Sequence, residues 1–221
     1  MTVASTGMTE QMARQKGIDC DKVHLSSASH AGYYPGSSMI SIKVLFERGT
    51  GRLLGGQFVG FEGVDKRCDV LATAIRAGLK ATDLTRLELC YAPPYSSAKD
   101  PVNMAGFVME NILTGKVVNA HWTDLSAVDH STSLLLDVRE DDQYDEGHVE
   151  GVVHIPLHEL RARIGELPDD KEIYVHCHSG LRSYVGCRIL TGHGIRCRNL
   201  SGGWRLYDAL RQAGLMDTLT W

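Results

Sequence analysis

Cys177 stands where an apolar run ends and a glycine-containing turn leads into a helical pattern, in the stretch IYVHCHSGLRSYVGCRIL (Ile173–Leu190). If Glu172–His176 is a buried strand and a helix starts near Leu181, the loop Cys177-His178-Ser179-Gly180-Leu181-Arg182 must turn sharply. Gly180 permits backbone angles closed to other residues. Consecutive amide N–H groups in such a turn converge as an anion-binding nest, and the helix N-terminus adds positive potential. An isolated cysteine is only a few per cent thiolate at neutral pH, and this kind of setting favours the anion. Arg182 is expected to add charge and to close the loop by hydrogen bonding. The same nest suits a persulfide, whose negative charge falls where the amides converge.

Two other readings of Cys177 compete. A cysteine is often a small buried hydrophobe, but strand, cysteine, glycine turn, arginine and helix in this order weigh against that. Metal binding by His176-Cys177-His178 is weaker still. Adjacent residues of an extended strand point to opposite faces, and no CxxC or HxxxH partner accompanies them, so no metal site is expected. Cys187 and Cys197 fall inside the following helix and strand and read as core thiols, with a resolving role for Cys187 as the unsupported alternative. Four residues separate Cys177 from Arg182. That ring is tighter than the cysteine–arginine loop of the cysteine phosphatases, and it suits one sulfur atom better than a tetrahedral phosphate.

The elements that must position this loop form a repeating strand–helix series. Strands are predicted at Leu134–Val138, Val152–Ile155, Glu172–His176 and Ile195–Leu200. Helices are predicted near Glu140–Asp145, His158–Ile164, Leu181–Gly192 and Gly203–Ala213. The alternation predicts a parallel sheet with helices on both faces, whose strand carboxyl ends are the expected ligand sites.

The first half has another grammar. Ser38–Glu47 alternates with Ile40, Ile42, Val44 and Phe46 on one face. Arg48–Gly51 reads as a hairpin turn and Arg52–Phe61 as the partner strand. Val64–Gly78 has helical spacing. Asp100–Gly115 is a second helix, with Asp100 as N-cap and Pro101 in the first turn. This predicts an α+β domain over residues 1–118, followed by an α/β domain over 119–221.

Bulk properties narrow the function. The 221 residues are 43% hydrophobic and carry a net charge of −4, which argues against nucleic acid as a main partner. No apolar run approaches the roughly 20 residues of a membrane span, and the first residues lack a hydrophobic signal region. Six cysteines without paired spacing suit a cytoplasmic protein with reduced thiols.

The segments LLLDVRE (Leu134–Glu140), YDEGHVEGVVHIP (Tyr144–Pro156), VHCHSGLRS (Val175–Ser183) and LSGGW (Leu200–Trp204) resemble the rhodanese family of sulfurtransferases. The resemblance implies that Cys177 accepts a sulfane sulfur and that His178, Ser179, Gly180, Leu181 and Arg182 cradle it. Asp137, Arg139 and His148 fall in these motifs but read as mainly structural, tying loops to strand ends. The segments HAGYYPGSS (His30–Ser38), GFEGVDKRCDVLATAI (Gly60–Ile75) and YAPPYSSAKDPVNMAG (Tyr91–Gly106) resemble the dimerisation domain of flavin-dependent pyridine nucleotide–disulfide oxidoreductases. The coenzyme A-disulfide and persulfide reductase branch is the nearest.

That second resemblance implies a homodimer formed through the first domain. It also implies tyrosines reaching toward the partner subunit's redox site. By motif position these are Tyr33 and Tyr91, with Tyr34 and Tyr95 as competitors, while His30 reads as a structural hydrogen-bonder. Lys66, Arg67, Lys99 and Asp100 read as interface or solvated charges. No GxGxxG follows a strand. The chain is therefore expected to bind no cofactor itself, whereas FAD, NAD(P)H and coenzyme A are implied for full-length members, of which it looks like the last two domains. The leading expectation is a sulfurtransferase that moves sulfur from thiosulfate, polysulfide or a small persulfide to a thiol acceptor. The alternative is a non-catalytic dimerisation and sulfur-relay module.

Overall fold

The computed structural model describes residues 1–221 and divides them into two compact units, Met1–Thr114 and Gly115–Trp221. In the first unit, strands β1 (Thr2–Gly7), β2 (Cys20–Ala28), β3 (Met39–Glu47) and β4 (Leu53–Gly60) form an antiparallel sheet in the order β1-β4-β3-β2. Ile40, Ile42, Val44 and Phe46 are buried on one face of β3, as period-2 alternation requires. They pack with Val64, Cys68 and Leu71 of α2 (Val64–Arg76) and Val102, Ala105 and Met109 of α3 (Pro101–Leu113). Burying each large aliphatic side chain contributes about 1.5–3 kcal/mol.

Helix α3 begins where the sequence predicts. Asp100 Oδ1 accepts from the Val102 amide at 2.9 Å, and Asn103 Oδ1 accepts from the Asp100 amide at 3.0 Å. These are reciprocal caps around Pro101 at the first helical position.

Four elements of this unit were not anticipated: β1, β2, the short helix α1 (Glu10–Gln15) and the 3-10 helix Ala81–Arg86. Helices lie on both faces of the sheet, α2 and α3 on one and α1 on the other. Ala13 of α1 clusters with Leu45 and Leu54 on the opposite face of the sheet. Glu10 pins α1 to the strands by accepting from Lys22 Nζ (2.8 Å) and Lys43 Nζ (3.0 Å). Burial pushes the Glu10 carboxyl up, and the two ammonium groups more than offset it, drawing it down to about 2.

The second unit holds an all-parallel sheet in the order β5-β9-β8-β6-β7. Its strands are β5 (Asn119–Ala120), β6 (Ser133–Asp137), β7 (Val153–His154), β8 (Glu172–His176) and β9 (Cys197–Leu200). Helices α4 (Asp141–Asp145), α5 (Leu181–Gly192) and α6 (Gly203–Gln212) complete it. On β8, Tyr174 clusters with Tyr207 of α6. The neighbouring Val175 side chain lies against Gly186 of α5. Successive strand residues face opposite ways, so α5 and α6 cover opposite faces.

The helix predicted over His158–Ile164 does not form. The segment is a run of turns closed by bonds such as Leu160 N–H to Leu157 O, followed by a 3-10 turn at Ile164–Glu166. Pro156 and Pro168 bound the stretch and Gly165 interrupts it, leaving too little length to offset helix nucleation. No helix of the chain is long and apolar enough to cross a membrane.

Candidate active site

Strands β6 and β8 pair side by side, with Asp137 opposite His176 at their carboxyl ends. Cys177 is the next residue and α5 starts four residues later. Gly180 is the N-cap of α5 with φ 113°, a left-handed conformation that spares no room for an ordinary side chain's preferences. That turn aims the Gly180 amide at Cys177 Sγ, 3.2 Å away. The Ser183 hydroxyl, in the first turn of α5, lies 3.4 Å from the same sulfur and 3.1 Å from Gly180 O. Its single proton serves one or the other.

Cys177 is 1% exposed, but its sulfur is not sealed in hydrocarbon. It faces a main-chain donor and a hydroxyl at a helix N-terminus.

The loop is held from behind by α6. The Trp204 amide donates to Cys177 O at 2.7 Å and the Arg205 amide to His178 O at 3.0 Å. Gly203 makes this approach possible. It has φ 59°, and a Cβ there would lie 2.5 Å from Cys177 O and 2.8 Å from the His178 carbonyl. Trp122 Nε1 donates to Gly203 O at 3.0 Å, fixing the glycine pair from the other side.

The remaining loop residues sit at the rim. His178 and Ser179 are half-buried and Leu181 is 67% exposed. Burial holds the His178 imidazole below its ordinary range, and Arg205, Arg139 and Arg182 push the same way against Glu146. The field at the rim is therefore positive and His178 is neutral at physiological pH.

Arg182 differs from expectation. Its guanidinium does not close the loop. It donates to Gln143 Oε1 at 2.5 Å and to Glu140 Oε1 at 3.4 Å, tying α5 to α4. As the second residue of α5 it projects outward, toward the neighbouring helix.

Behind the loop lies a buried charge pair. Arg139 (1% exposed) forks onto Asp137 with Nε and Nη2 contacts of 2.8 and 2.6 Å, and also donates to Gln143 O and Gly147 O. It ties loops to strand ends, in line with a structural role. His148 likewise bonds Tyr144 O and stacks on the Tyr144 ring.

His176 is fully buried, 3.7 Å from Asp137 Oδ2 and edge-on to Trp122. Burial lowers it to about 4, and the Asp137 charge only partly offsets that. Burial raises the Asp137 carboxyl, and the His176 and Arg139 charges lower it by more, so it lies below its ordinary range. With His176 neutral above about pH 4, Arg139 is the group that keeps Asp137 ionised at neutral pH.

Sequence reading had missed two contributors here, Ser183 and His176. The signal for Ser183 was a hydroxyl three residues past the N-cap glycine. His176 offered none, because its role comes from the strand pairing with Asp137.

The first unit carries a separate cluster. Tyr33 and Tyr91 hydroxyls lie 3.2 Å apart at the surface, with the rings 77% and 51% exposed. Tyr34 packs edge-on against His30, and Tyr95 is exposed. His30 bonds Ser29 Oγ and Pro35 O, both 3.2 Å away.

Arg67 and Asp100 are not solvated charges, contrary to expectation: they are 1% and 4% exposed. Arg67 Nη2 donates to Asp100 Oδ2 at 2.9 Å and to Ser29 O at 2.7 Å, and Ser96 Oγ donates to the same carboxylate at 2.7 Å. Helix periodicity places Arg67 on the inward face of α2, beneath the two tyrosine-bearing loops.

Residues 1–101 match the pyridine nucleotide-disulphide oxidoreductase dimerisation domain, and residues 122–210 match the rhodanese-like domain. Coenzyme A disulfide reductases of Staphylococcus epidermidis and Staphylococcus haemolyticus are 42% and 44% identical over 106 and 107 residues. Each match covers 48% of this chain and 24% of the relative. Among solved structures, reduced Bacillus anthracis CoADR-RHD superposes with a TM-score of 0.92 at 44% identity, over 96% of this chain and 38% of that one. A NAD-dependent persulfide reductase from A. fulgidus superposes with 0.81 at 41% identity, over 91% of this chain and 36% of that one. The chain thus spans about a quarter of the length of the curated relatives it matches.

Proposed function

We propose that this chain, a pyridine nucleotide-disulphide oxidoreductase dimerisation domain followed by a rhodanese-like domain, moves sulfane sulfur through a persulfide on Cys177. The observation that carries the reading is the pair of donors on one sulfur, Gly180 N–H and Ser183 Oγ–H, at the junction of β8 and α5.

The Cys177 thiolate attacks the outer sulfur of a donor such as thiosulfate or a low-molecular-weight persulfide. The donor's S–S bond breaks, and sulfite or a thiolate leaves with the bonding pair. The Cys177 persulfide keeps its negative charge beside the loop amides. An acceptor thiolate then attacks the terminal sulfur, the Cys177–sulfur bond breaks, and the Cys177 thiolate is restored. His178, Ser179, Gly180 and Leu181 form the lip over which the donor enters. Arg182 acts from the rim, sharing its charge with Glu140. Because Cys177 is 1% exposed, the reading favours donors that present a single projecting sulfur.

The Tyr33–Tyr91 pair supports a role for the first domain in a homodimer, presenting two phenols to the partner subunit's redox site. A phenol can hydrogen-bond a thiolate or persulfide while remaining uncharged. In such an assembly FAD, NAD(P)H and coenzyme A belong to domains other than the two described here, and the sulfur carried by Cys177 is supplied to, or drained by, that reductive site.

The test is mass spectrometry after exposure to thiosulfate or a small persulfide. The tryptic peptide Glu172–Arg182 gains one sulfur atom, cyanide removes it as thiocyanate, and Cys177→Ser abolishes both. Full thiosulfate:cyanide activity in Cys177→Ser overturns the reading. No transfer with any donor, together with a stable dimer by ultracentrifugation, favours the relay or dimerisation module instead.

A further inference from the structure

Three arginines surround the Cys177 loop, and two of them are already occupied. Arg139 is buried and forks onto Asp137. Arg182 is shared between Glu140 Oε1 (3.4 Å) and Gln143 Oε1 (2.5 Å). Arg205 differs from both. It is exposed and has no carboxylate within ion-pair distance. Asp208, three residues further along α6, is taken by Arg211 and Gln212, at 2.8 and 2.7 Å.

The main chain fixes Arg205 against the loop. Its amide donates to His178 O at 3.0 Å, beside the Trp204 amide on Cys177 O at 2.7 Å. It is the third residue of α6, and helical side chains lean toward the N-terminus of their helix. Here that end abuts the Cys177–His178 carbonyls. Gly202 and Gly203 ahead of it bear no side chain. Trp204 turns inward, its ring 4.6 Å from the buried Arg139 guanidinium carbon. The stem of Arg205 is therefore directed over the loop with its charge uncommitted. The electrostatics agree: after burial, Arg205 is the foremost influence holding the His178 imidazole below its ordinary range, with Glu146 opposing.

We propose that Arg205 reads the anionic head of the sulfur donor at Cys177, selecting donors whose transferred sulfur is bonded to a sulfonate. This inference rests on the sulfur-transfer reading of Cys177. Thiosulfate is such a donor. The Cys177 thiolate attacks its outer sulfur, the S–S bond breaks, and sulfite leaves with the bonding pair. Negative charge gathers on the sulfonyl oxygens as that bond breaks, so a guanidinium there favours both the arriving donor and the departing sulfite. The planar fork of an arginine matches two of those oxygens. The Arg182 fork is occupied by Glu140 and Gln143, which leaves this task to a residue outside the loop.

Thiosulfate is the probe, used in two measurements on the full chain. The first is equilibrium binding to Cys177→Ser, which cannot accept sulfur, followed by NMR of the loop amides. Adding Arg205→Gln should weaken binding about tenfold, the scale of a charge-assisted hydrogen bond. Arg205→Lys should recover part of the loss, and Arg182→Gln should weaken binding less than Arg205→Gln does. The second is turnover with Cys177 intact. In Arg205→Gln, kcat/KM for thiosulfate should fall about tenfold. Discharge of the Cys177 persulfide by dithiothreitol, an uncharged thiol, should keep its rate. Equal thiosulfate affinity with and without Arg205, or no binding at all, overturns the proposal even where sulfur transfer through Cys177 proceeds. An equal loss in the discharge step marks a structural role for Arg205 and overturns it as well. Arg205-dependent binding without any transfer in the native chain upholds the anion site and overturns the sulfur-transfer reading instead.

Discussion

The hydroxyls of Tyr33 and Tyr91, 58 residues apart in the chain, meet at 3.2 Å on the surface of the first unit. Neither loop positions its tyrosine alone. The Ala31 amide reaches Pro93 O (3.3 Å) and Ser96 O (3.1 Å) of the other loop. Beneath them Arg67 holds the Ser29 carbonyl and the Asp100 carboxylate together. The phenol pair is thus a surface feature standing on a buried ionic base.

The Tyr33 phenol is held above its ordinary range chiefly by its hydrogen bond to Tyr91. Replacing Tyr91 with Phe removes that acceptor. The Tyr33 phenol should then titrate at lower pH, with no change in the fold. Carbon-13 labelled tyrosine followed by NMR through the alkaline range checks both points.

Arg67→Ala leaves Asp100 buried and unpaired. Removing one partner of a buried ion pair costs about 3–5 kcal/mol. The loss should appear in the first unit alone. All three tryptophans, Trp122, Trp204 and Trp221, lie in the second unit. Tryptophan fluorescence should therefore report an unchanged denaturant midpoint while a fluorescent label on Cys90 reports an early one.

Gly203→Ala places a Cβ 2.5 Å from Cys177 O at a left-handed backbone position. Strain and overpacking together should cost about 2–4 kcal/mol, read by tryptophan fluorescence in urea. Sulfur loading of peptide Glu172–Arg182 should fall more than stability accounts for, because the displaced backbone is the cradle itself.

His176 gives the second unit an acid sensitivity of defined sign. Its imidazole is lowered from the ordinary 6.5 to about 4 in the folded chain. Between those values the unfolded chain binds the extra proton, so stability falls as pH drops. The contribution is complete above about pH 6.5 and is lost progressively toward pH 4, a change of about 3 kcal/mol. Asp137, held below the ordinary carboxylate range, adds its own loss at still lower pH. Urea midpoints at pH 7 and pH 5 should differ in the native chain and converge in His176→Phe.

The loop chemistry was legible because it is local. A strand, a cysteine, a glycine and a helix start fall within ten residues, and short-range backbone geometry decides where the amides point. The α3 cap was legible for the same reason. What escaped depends on distant partners. Thr2–Gly7 pairs with β4 as an edge strand of mostly small and polar residues, so no apolar alternation marks it. Arg67 looks like any surface arginine until two loops arrive over it. Arg182 sits correctly at the second position of α5, but its partners Glu140 and Gln143 come from a helix some forty residues earlier.

The grip on the Cys177–His178 backbone comes from the amides of Trp204 and Arg205 and from the bare Gly203, not from the side chains of the loop. His178, Ser179 and Leu181 are therefore free to vary without loosening the sulfur's seat. A new clientele could be admitted by changing three residues at the doorway, while the machinery underneath is inherited untouched.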